Sequence, residues 1–192
     1  MMTKAKIGIL ISGRGSNMEA IIAAARADDC PYEIVLVASN NPEAAGLATA
    51  RAAGIATFAH PHTGMKRAEF DQLIDAQLRA AGVEYIALAG YMRILSEAFI
   101  DGWAGRILNI HPSLLPKYKG LDTHGRAIEA GDPAGGCSVH IVTATLDDGP
   151  VLAQAEVPIL PGDTPESLAD RVLVEEHRLY PATLASYIRS TH

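Results

Sequence analysis

The feature that most constrains the fold is the alternation of short apolar runs with helical segments over the first 110 residues. The runs Lys6–Ser12, Glu33–Asn40 and Tyr85–Ala89 are nearly continuous in Ile, Val, Leu and Ala, which is typical of strands buried on both faces. Shorter strands are predicted at Gly54–Phe58 and Arg106–Ile110. Strands that alternate with helices predict an α/β fold with a parallel sheet. The intervening helices are predicted at Asn17–Arg26, Glu43–Ala53 and Lys66–Ala81.

The pattern changes after residue 110. A loop rich in Pro, Gly and Lys leads to a short helix at Arg126–Gly131. Two further strands, Ser138–Thr145 and Val151–Leu160, are joined across the turn-rich stretch "LDDGP", which predicts an antiparallel hairpin. We expect the segment Lys117–Pro133 to be a mobile loop that closes over a bound substrate, because it is rich in glycine and charge.

The chain closes with a long predicted helix. Thr164 is a suitable N-cap, and Pro165 occupies the first helical position. Pro181 is expected to kink or interrupt this helix, because proline removes a backbone donor. Together these elements predict a mostly parallel twisted sheet of about seven strands with helices on both faces. It has a Rossmann-like N-terminal half and an antiparallel C-terminal hairpin.

Size and charge narrow the class of protein. A chain of 192 residues with 48% hydrophobic residues fits one domain, 1–192, with an N-terminal half at 1–110 and a C-terminal half at 111–192. The net charge of -6 offers no basic field for nucleic acid or an acidic membrane. No apolar run is long enough to cross a bilayer, and the first run is interpreted as a strand, not a signal peptide. Cys30 and Cys137 are expected to be free thiols in a cytoplasmic protein.

The stretch "SGRGSN", Ser12–Asn17, lies between the first strand and the first helix. Glycines let a backbone approach an anion closely, and a helix N-terminus offers unpaired N–H groups. Met18 stands where a dinucleotide fingerprint needs its third glycine, and the second strand ends without an acidic residue. The motif therefore favours a single phosphate, or simply a tight turn that needs glycine for backbone reasons.

Asn109 and His111 end the fifth predicted strand and share one face of it, because alternate residues of a strand point the same way. Ligands of open parallel sheets bind beyond the carboxyl ends of the strands. An imidazole there can exchange a proton, and an amide can donate a hydrogen bond to a developing oxyanion. The pair is suited to a carbonyl under attack, although a structural histidine and a capping asparagine give the same pattern.

A third candidate is a carboxylate in "TATLDDGP". Asp147 or Asp148 near His111 would favour the protonated imidazole, although turn aspartates are common without any such role. His60 and His62 form an isolated H-x-H pair, which is a weak indication of a metal site. The sequence lacks G-x-S-x-G and a P-loop lysine, so acid–base and electrostatic catalysis is favoured over covalent catalysis.

Five motifs in one order resemble the glycinamide ribonucleotide formyltransferase family, a folate-dependent branch of the formyltransferase superfamily. They are "ILISGRGSNMEAII", "LAGYMRILS", "LNIHPSLLPKYKGLDTH", "SVHIVTATLDDGP" and "EEHRLYP". The resemblance implies direct, metal-independent transfer of a formyl group from 10-formyltetrahydrofolate to the glycine amine of the ribonucleotide. It assigns residues 1–110 to nucleotide and phosphate binding, and residues 111–192 to folate binding and catalysis.

The resemblance also implies roles for individual residues. His111 would be the general acid, Asn109 would hydrogen-bond the formyl oxygen, and Asp147 would hold the imidazole protonated. The substrate would be bound by Gly13, Gly15, Ser16, Asn17 and Glu176. The folate would be bound by Arg67, Met92, Arg93, Ile94, Leu95, Asn109, Thr143, Ala144, Thr145, Leu146 and Asp147.

The same resemblance implies small-molecule substrates and a monomer or homodimer, with no nucleic acid, membrane or metal partner. Rival interpretations are a formyltransferase that acts on aminoacyl-tRNA or an amino sugar, a folate-hydrolysing relative, and a non-catalytic folate- or nucleotide-binding module. The tRNA enzymes and the hydrolase would need an additional domain, for which a chain of 192 residues leaves no room. Intact Asn109, His111 and Asp147 argue against the silent module.

Overall fold

A computed structural model describes residues 3–192. Seven strands form one sheet in the order β3-β2-β1-β4-β5-β6-β7. Strands β1 to β5 pair in parallel, whereas β6 and β7 are antiparallel to their neighbours. The strands are β1 (Ala5–Ile11), β2 (Tyr32–Ser39), β3 (Thr57–Ala59), β4 (Tyr85–Leu88), β5 (Ile107–His111), β6 (Ala134–Ile141) and β7 (Val151–Pro158). The helices are α1 (Ser16–Ala24), α2 (Gly46–Ala52), α3 (Arg67–Ala80), α4 (Glu97–Gly102), α5 (Thr123–Glu129) and α6 (Pro165–Thr191).

The sheet divides the core into two layers. In β1, the odd-numbered residues Ile7 and Ile9 belong to the hydrophobic cluster that contains α1, α2 and α6. Leu10 points the other way, into the cluster formed with α3 and α4. Gly8 also faces α3, where a Cβ would lie 2.6 Å from a methyl group of Leu78. The prediction of a mostly parallel sheet with helices on both faces is confirmed.

Two predicted elements in the C-terminal half are displaced. Strand β6 begins at Ala134 and ends at Ile141, so the predicted strand Ser138–Thr145 is wrong at both ends. Its predicted last residues, from Val142 onward, belong to a loop that is closed by a hydrogen bond of 2.9 Å from Ile141 N to Pro150 O. Glycines at 135 and 136, which disfavour a strand locally, start β6 because β7 pairs with them. Helix α5 likewise covers Thr123–Glu129 instead of Arg126–Gly131.

Two helices differ from expectation. Helix α4 was not predicted, because only Phe99 and Ile100 in its six residues are buried and no helical period can show. Helix α6 runs without a break through Pro181, so the predicted interruption is wrong. Tyr180, Leu184 and the buried ring of Pro181 pack on the core, and this packing holds the helix despite the lost donor. The predicted start is confirmed, since the Thr164 side chain accepts a hydrogen bond from Ser167 N.

The strand order creates a place for a ligand. Strand β1 lies between β2 and β4, so the chain leaves β1 toward one side of the sheet and later returns on the other side. Ligands of open α/β sheets bind in the crevice beyond the carboxyl ends at such a reversal. Here the segments that follow β1 and β4 meet there, next to the segment that follows β5.

Candidate active site at the carboxyl ends of the strands

The end of β5 delivers two polar side chains to one face, as its sequence predicts. Ile110 points into the core between them, while Asn109 is half-buried and His111 is 6% exposed. In the antiparallel pairing with β6, Asn109 lies opposite His140, and His111 lies opposite Ser138. The strand therefore fixes the backbone of both groups at the edge of the crevice.

Asp147 meets His111 although 36 residues separate them in the sequence. The distance from Asp147 Oδ2 to His111 Nδ1 is 3.5 Å, and both side chains are buried. The other ring nitrogen, Nε2, lies 2.9 Å from the Tyr118 carbonyl oxygen. Both nitrogens thus face acceptors, which is the arrangement that a doubly protonated imidazolium satisfies. In this conformation both nitrogens are engaged by protein acceptors, so the ring can exchange a proton with another molecule only after one of these contacts is released.

The backbone around Asp147 fixes its carboxylate. Asp147 has φ 51°, in the left-handed region that aspartate enters more readily than most residues. Its Oδ2 accepts a hydrogen bond of 2.9 Å from Gly120 N. Lys119 pairs with Asp148, so the loop before α5 lies against both neighbouring aspartates. Of the two aspartates that the sequence left open, Asp147 is the one that faces His111.

His140 is a functional candidate that sequence reasoning missed. Its Nε2 lies 3.2 Å from Asn109 Nδ2 and 3.9 Å from Asp147 Oδ1, so it touches two of the predicted catalytic residues. Burial lowers the pKa of His140 below its ordinary value. The sequence signal was only a histidine within an apolar strand, "SVHIV", which is typical of a structural residue.

The predicted anion loop opens into a cleft of about 260 Å³. Gly15 has φ 69° and precedes α1, which requires the left-handed conformation that glycine adopts freely. Gly13 has no atom within 4 Å of where its Cβ would stand, so its face is open to the cleft. The lining residues are Ser12, Gly13, Arg14, Gly15, Ser16, Asn17, Ala89, Gly90 and Met92.

A buried carboxylate stands beside this loop. Asn17 Nδ2 donates a hydrogen bond of 2.8 Å to Glu176 Oε2, which ties α1 to α6. Burial raises the pKa of the Glu176 carboxyl, and the hydrogen bond from Asn17 lowers it by a smaller amount. Asn17 Oδ1 is buried and has no partner in residues 3–192. Asn17 Oδ1 is therefore an unpaired acceptor, and ionisation of the buried Glu176 carboxyl is unfavourable without a cationic neighbour.

The segment after β4 forms the opposite wall of the crevice. Met92 and Ile94 are exposed, whereas Leu95 is buried in the cluster with α3 and α4. The Arg93 guanidinium lies 4.9 Å from the centre of the Phe70 ring. Met92 N donates a hydrogen bond of 2.8 Å to Ser12 Oγ, which joins this wall to the anion loop.

The other residues predicted to bind folate are exposed or half-buried. Arg67 begins α3 and is exposed. Leu146 is an exposed apolar side chain in the loop that carries Asp147. The same loop holds a half-buried Thr143 and exposed Ala144 and Thr145. These residues are thus available to a ligand.

Residues 3–192 contain neither a group of metal-ligating side chains nor a membrane-spanning helix. No three or more His, Cys, Asp or Glu side chains are grouped to hold a metal ion there, and His62 is bound to Asn40 instead. None of the helices in this range combines the length and apolar character needed to cross a membrane. Cys30 and Cys137 are both free, as predicted.

Comparisons with known proteins match this chain to formyltransferases. The profile of the family described as "Formyl transferase" matches residues 5–184. "Phosphoribosylglycinamide formyltransferase" of Escherichia coli (strain K12) is 46% identical over 180 residues, 93% of this chain and 85% of that protein. "Trifunctional purine biosynthetic protein adenosine-3" of Gallus gallus is 47% identical over 182 residues, 94% of this chain but 18% of that protein. The crystal structure of "Phosphoribosylglycinamide formyltransferase" from Brucella melitensis has 52% identity and a TM-score of 0.93, covering 97% of this chain and 96% of that one.

Proposed function

Because this chain belongs to the formyl transferase family, we propose that it transfers a formyl group from 10-formyltetrahydrofolate to the glycine amine of N1-(5-phosphoribosyl)glycinamide. The products are the formylated ribonucleotide and tetrahydrofolate, and the reaction is a step of purine biosynthesis. The observation that carries the proposal is the meeting of Asn109, His111 and Asp147 at one edge of the sheet. Relatives named for this activity match over most of the chain.

The proposed chemistry is direct transfer. The amine nitrogen attacks the formyl carbon, a new C–N bond forms, and the carbonyl oxygen gains negative charge. The bond from that carbon to the folate nitrogen then breaks. The folate nitrogen takes one proton and the amine loses one, so the overall reaction leaves no net charge to dispose of. What the protein must supply is hydrogen bonding to the oxyanion and a route for the proton.

The three convergent side chains fit these requirements. Asn109 donates a hydrogen bond to the formyl oxygen, and His111 acts as the general acid and second oxyanion donor. Asp147 lies 3.5 Å from His111 Nδ1 and balances the charge of the imidazolium until the ring gives up its proton. Since His111 Nε2 is bonded to Tyr118 O in this conformation, the 118–120 segment must move or the substrate must displace it before the ring can act.

The ribonucleotide fits the cleft at the start of α1. Gly13, Gly15 and Ser16 present backbone N–H groups and an open face to the phosphate, at the positive end of the helix. Glu176 receives the glycine amine, and the ammonium form offsets the cost of burying the carboxylate on binding. Because burial raises the pKa of Glu176, its carboxylate takes the extra proton, which leaves the neutral amine that attacks. The unpaired Asn17 Oδ1 offers a further acceptor for the same end of the substrate.

The folate fits between the 92–95 wall and the 143–147 loop. Met92, Ile94 and Leu146 are exposed apolar side chains on these two segments, and a flat heteroaromatic ring would cover them. Thr143, Ala144 and Thr145 contribute backbone polar groups, while Arg93 and Leu95 support the wall from behind. Arg67, exposed at the start of α3, meets the anionic tail of the cofactor.

The test is to incubate the protein with both substrates and to follow the folate absorbance as the formyl group leaves. We expect transfer that depends on both substrates, whereas a binding module would bind without turnover and a hydrolase would act without the ribonucleotide. His111→Ala and Asp147→Ala should each lower turnover by at least about a hundredfold while the far-UV circular dichroism stays unchanged. Near-normal turnover in either variant would contradict the assignment.

A further inference from the structure

His140 is a buried titratable group for which the proposed mechanism has no task. His140 is the second-last residue of β6, the strand that pairs with β5, and its side chain is 2% exposed. A histidine in such a place either fills the core or acts on the groups beside it. Its neighbours are Asn109 at 3.2 Å and Asp147 at 3.9 Å, so the ring is placed to act on two of the proposed catalytic groups.

The backbone determines which ring nitrogen of His140 carries the hydrogen. Nδ1 lies 3.0 Å from the Ile141 carbonyl oxygen, which can only accept a hydrogen bond, so Nδ1 must be the donor. In a neutral ring Nε2 then has a lone pair and accepts a hydrogen bond. Burial lowers the pKa of His140, which agrees with a ring that is neutral near pH 7.

This tautomer in turn fixes the direction of the Asn109 amide. An acceptor at His140 Nε2 requires that Asn109 present its NH2 group there, not its oxygen. One N–H of Nδ2 is bound in this way, and the second remains for another acceptor. With the amide turned over, the lone pairs of Asn109 Oδ1 and His140 Nε2 would face and repel each other. Neither N–H group would then point in its present direction.

The protonation of His140 Nε2 also determines how His140 interacts with Asp147. Its Oδ1 lies 3.9 Å from the same Nε2, within reach of a small rotation. A ring protonated on Nε2 would donate to this carboxylate and would repel the NH2 group of Asn109. The hydrogen bond to Ile141 O excludes the neutral tautomer protonated on Nε2, and burial, which lowers the pKa of His140, disfavours the doubly protonated ring. The amide of Asn109 therefore keeps His140 as its partner, and the carboxylate of Asp147 keeps His111.

We propose that His140 is a positioning residue: the neutral ring, protonated on Nδ1, holds the Asn109 amide so that its second N–H faces the oxygen of the transferred group. The inference rests on the proposed function, because it assigns that oxygen as the acceptor. It goes beyond the three predicted catalytic residues by making the orientation of one of them depend on a fourth.

Two substitutions separate this role from simple core filling. In His140→Gln, the Gln Oε1 can still accept from Asn109, whereas His140→Leu fills the space without an acceptor. We expect His140→Leu to lower kcat by at least about tenfold with both KM values within about threefold, since a misdirected donor is lost only in the transition state. His140→Gln should recover most of that loss. Thermal unfolding identifies any variant that does not fold.

A double-mutant cycle tests whether His140 acts through Asn109. If it does, Asn109→Ala/His140→Leu should have a kcat within about twofold of Asn109→Ala alone. A loss in the double variant equal to the product of the two single losses would overturn the inference. So would a His140→Leu protein with the kcat of the wild type, or equal losses in the Gln and Leu variants.

A measurement without turnover keeps the two proposals apart. The ¹⁵N chemical shifts of His140 at pH 7 should show a protonated Nδ1 and a bare Nε2. A ring protonated on Nε2 would overturn the inference even in a fully active enzyme. Absence of formyl transfer by the wild-type protein would instead overturn the proposed function, and with it the oxygen to which the amide is directed, whatever the tautomer.

Discussion

Gly149→Ala should loosen the loop that carries Asp147. A Cβ at residue 149 would lie 1.7 Å from the Ile141 carbonyl oxygen and 3.2 Å from the Thr143 methyl group. Ordinary contacts of a Cβ begin near 3.4 Å, so the carbonyl and the new methyl group must separate by more than an ångström. The strand end and the turn would therefore shift, and they flank the hydrogen bond from Ile141 N to Pro150 O that closes the loop.

The expected cost follows from this overlap. Overpacking of a well-filled site lowers the free energy of unfolding by about 1–3 kcal/mol. For a domain of this size each kcal/mol lowers Tm by about 2–4 °C, so the melting temperature should fall by about 2–12 °C. Asp147 lies two residues before the glycine, and a displacement of about 1 Å in a catalytic group can cost about a hundredfold in rate. Calorimetry and steady-state turnover measure the two effects on the same preparation.

Gly102→Ala is the matched control. Residue 102 ends α4, and a Cβ there would meet only the flexible tip of Arg79 at 3.3 Å. Both Tm and kcat should stay close to those of the wild type. If Gly149→Ala melts within about 1 °C of the wild type and turns over normally, the tight closure of the loop does not hold Asp147 in place and the reasoning is refuted.

Three further outcomes are expected. Gly13→Ala should leave Tm unchanged, because nothing lies within 4 Å of the added methyl group, but should raise the KM for the ribonucleotide by at least about tenfold by occupying the cleft. Glu176→Gln should unfold at a higher temperature than the wild type at pH 7 while binding the ribonucleotide more weakly. The raised pKa of Glu176 means that the folded state holds its proton more tightly than the unfolded state. The wild type therefore loses stability as pH rises above 4.5, and the difference in Tm between it and the Gln variant widens. An equal difference in Tm at pH 4 and pH 7 would contradict this. Ser138→Ala should lower the free energy of unfolding by about 1–3 kcal/mol in denaturant titration, because the buried hydroxyl bonds Leu115 N, Ser113 O and Gln154 Nε2.

Features that depend on a single strand or helix could be predicted from the sequence. The nearly continuous apolar run of β1 predicts burial on both faces, and the alternation of side chains along β5 places Asn109 and His111 on one face. The helix start at Thr164 is likewise a local signal, since the cap and its partner Ser167 are three residues apart. Both predictions depend only on backbone geometry within a few residues.

The local sequence does not predict features that depend on pairing or packing with distant residues. The limits of β6 depend on β7, which pairs with residues 134–140, and a local pattern cannot show this. His140 looks like a core histidine because its meaning comes from its register opposite Asn109. The length of α6 through Pro181 depends on the packing of Tyr180, whose hydroxyl reaches the Leu88 and Leu108 carbonyls. Register and long-range packing are tertiary properties.

The most direct test of the central claim is a crystal structure with an unreactive folate analogue and the ribonucleotide. The folate nitrogen should lie between the 92–95 wall and the 143–147 loop. The amine should lie about 3–3.5 Å from the position of the formyl carbon, with His111 and Asn109 beside the carbonyl oxygen. An analogue bound elsewhere on the sheet, or one whose carbonyl oxygen is directed away from both side chains, would contradict the roles proposed for His111 and Asn109.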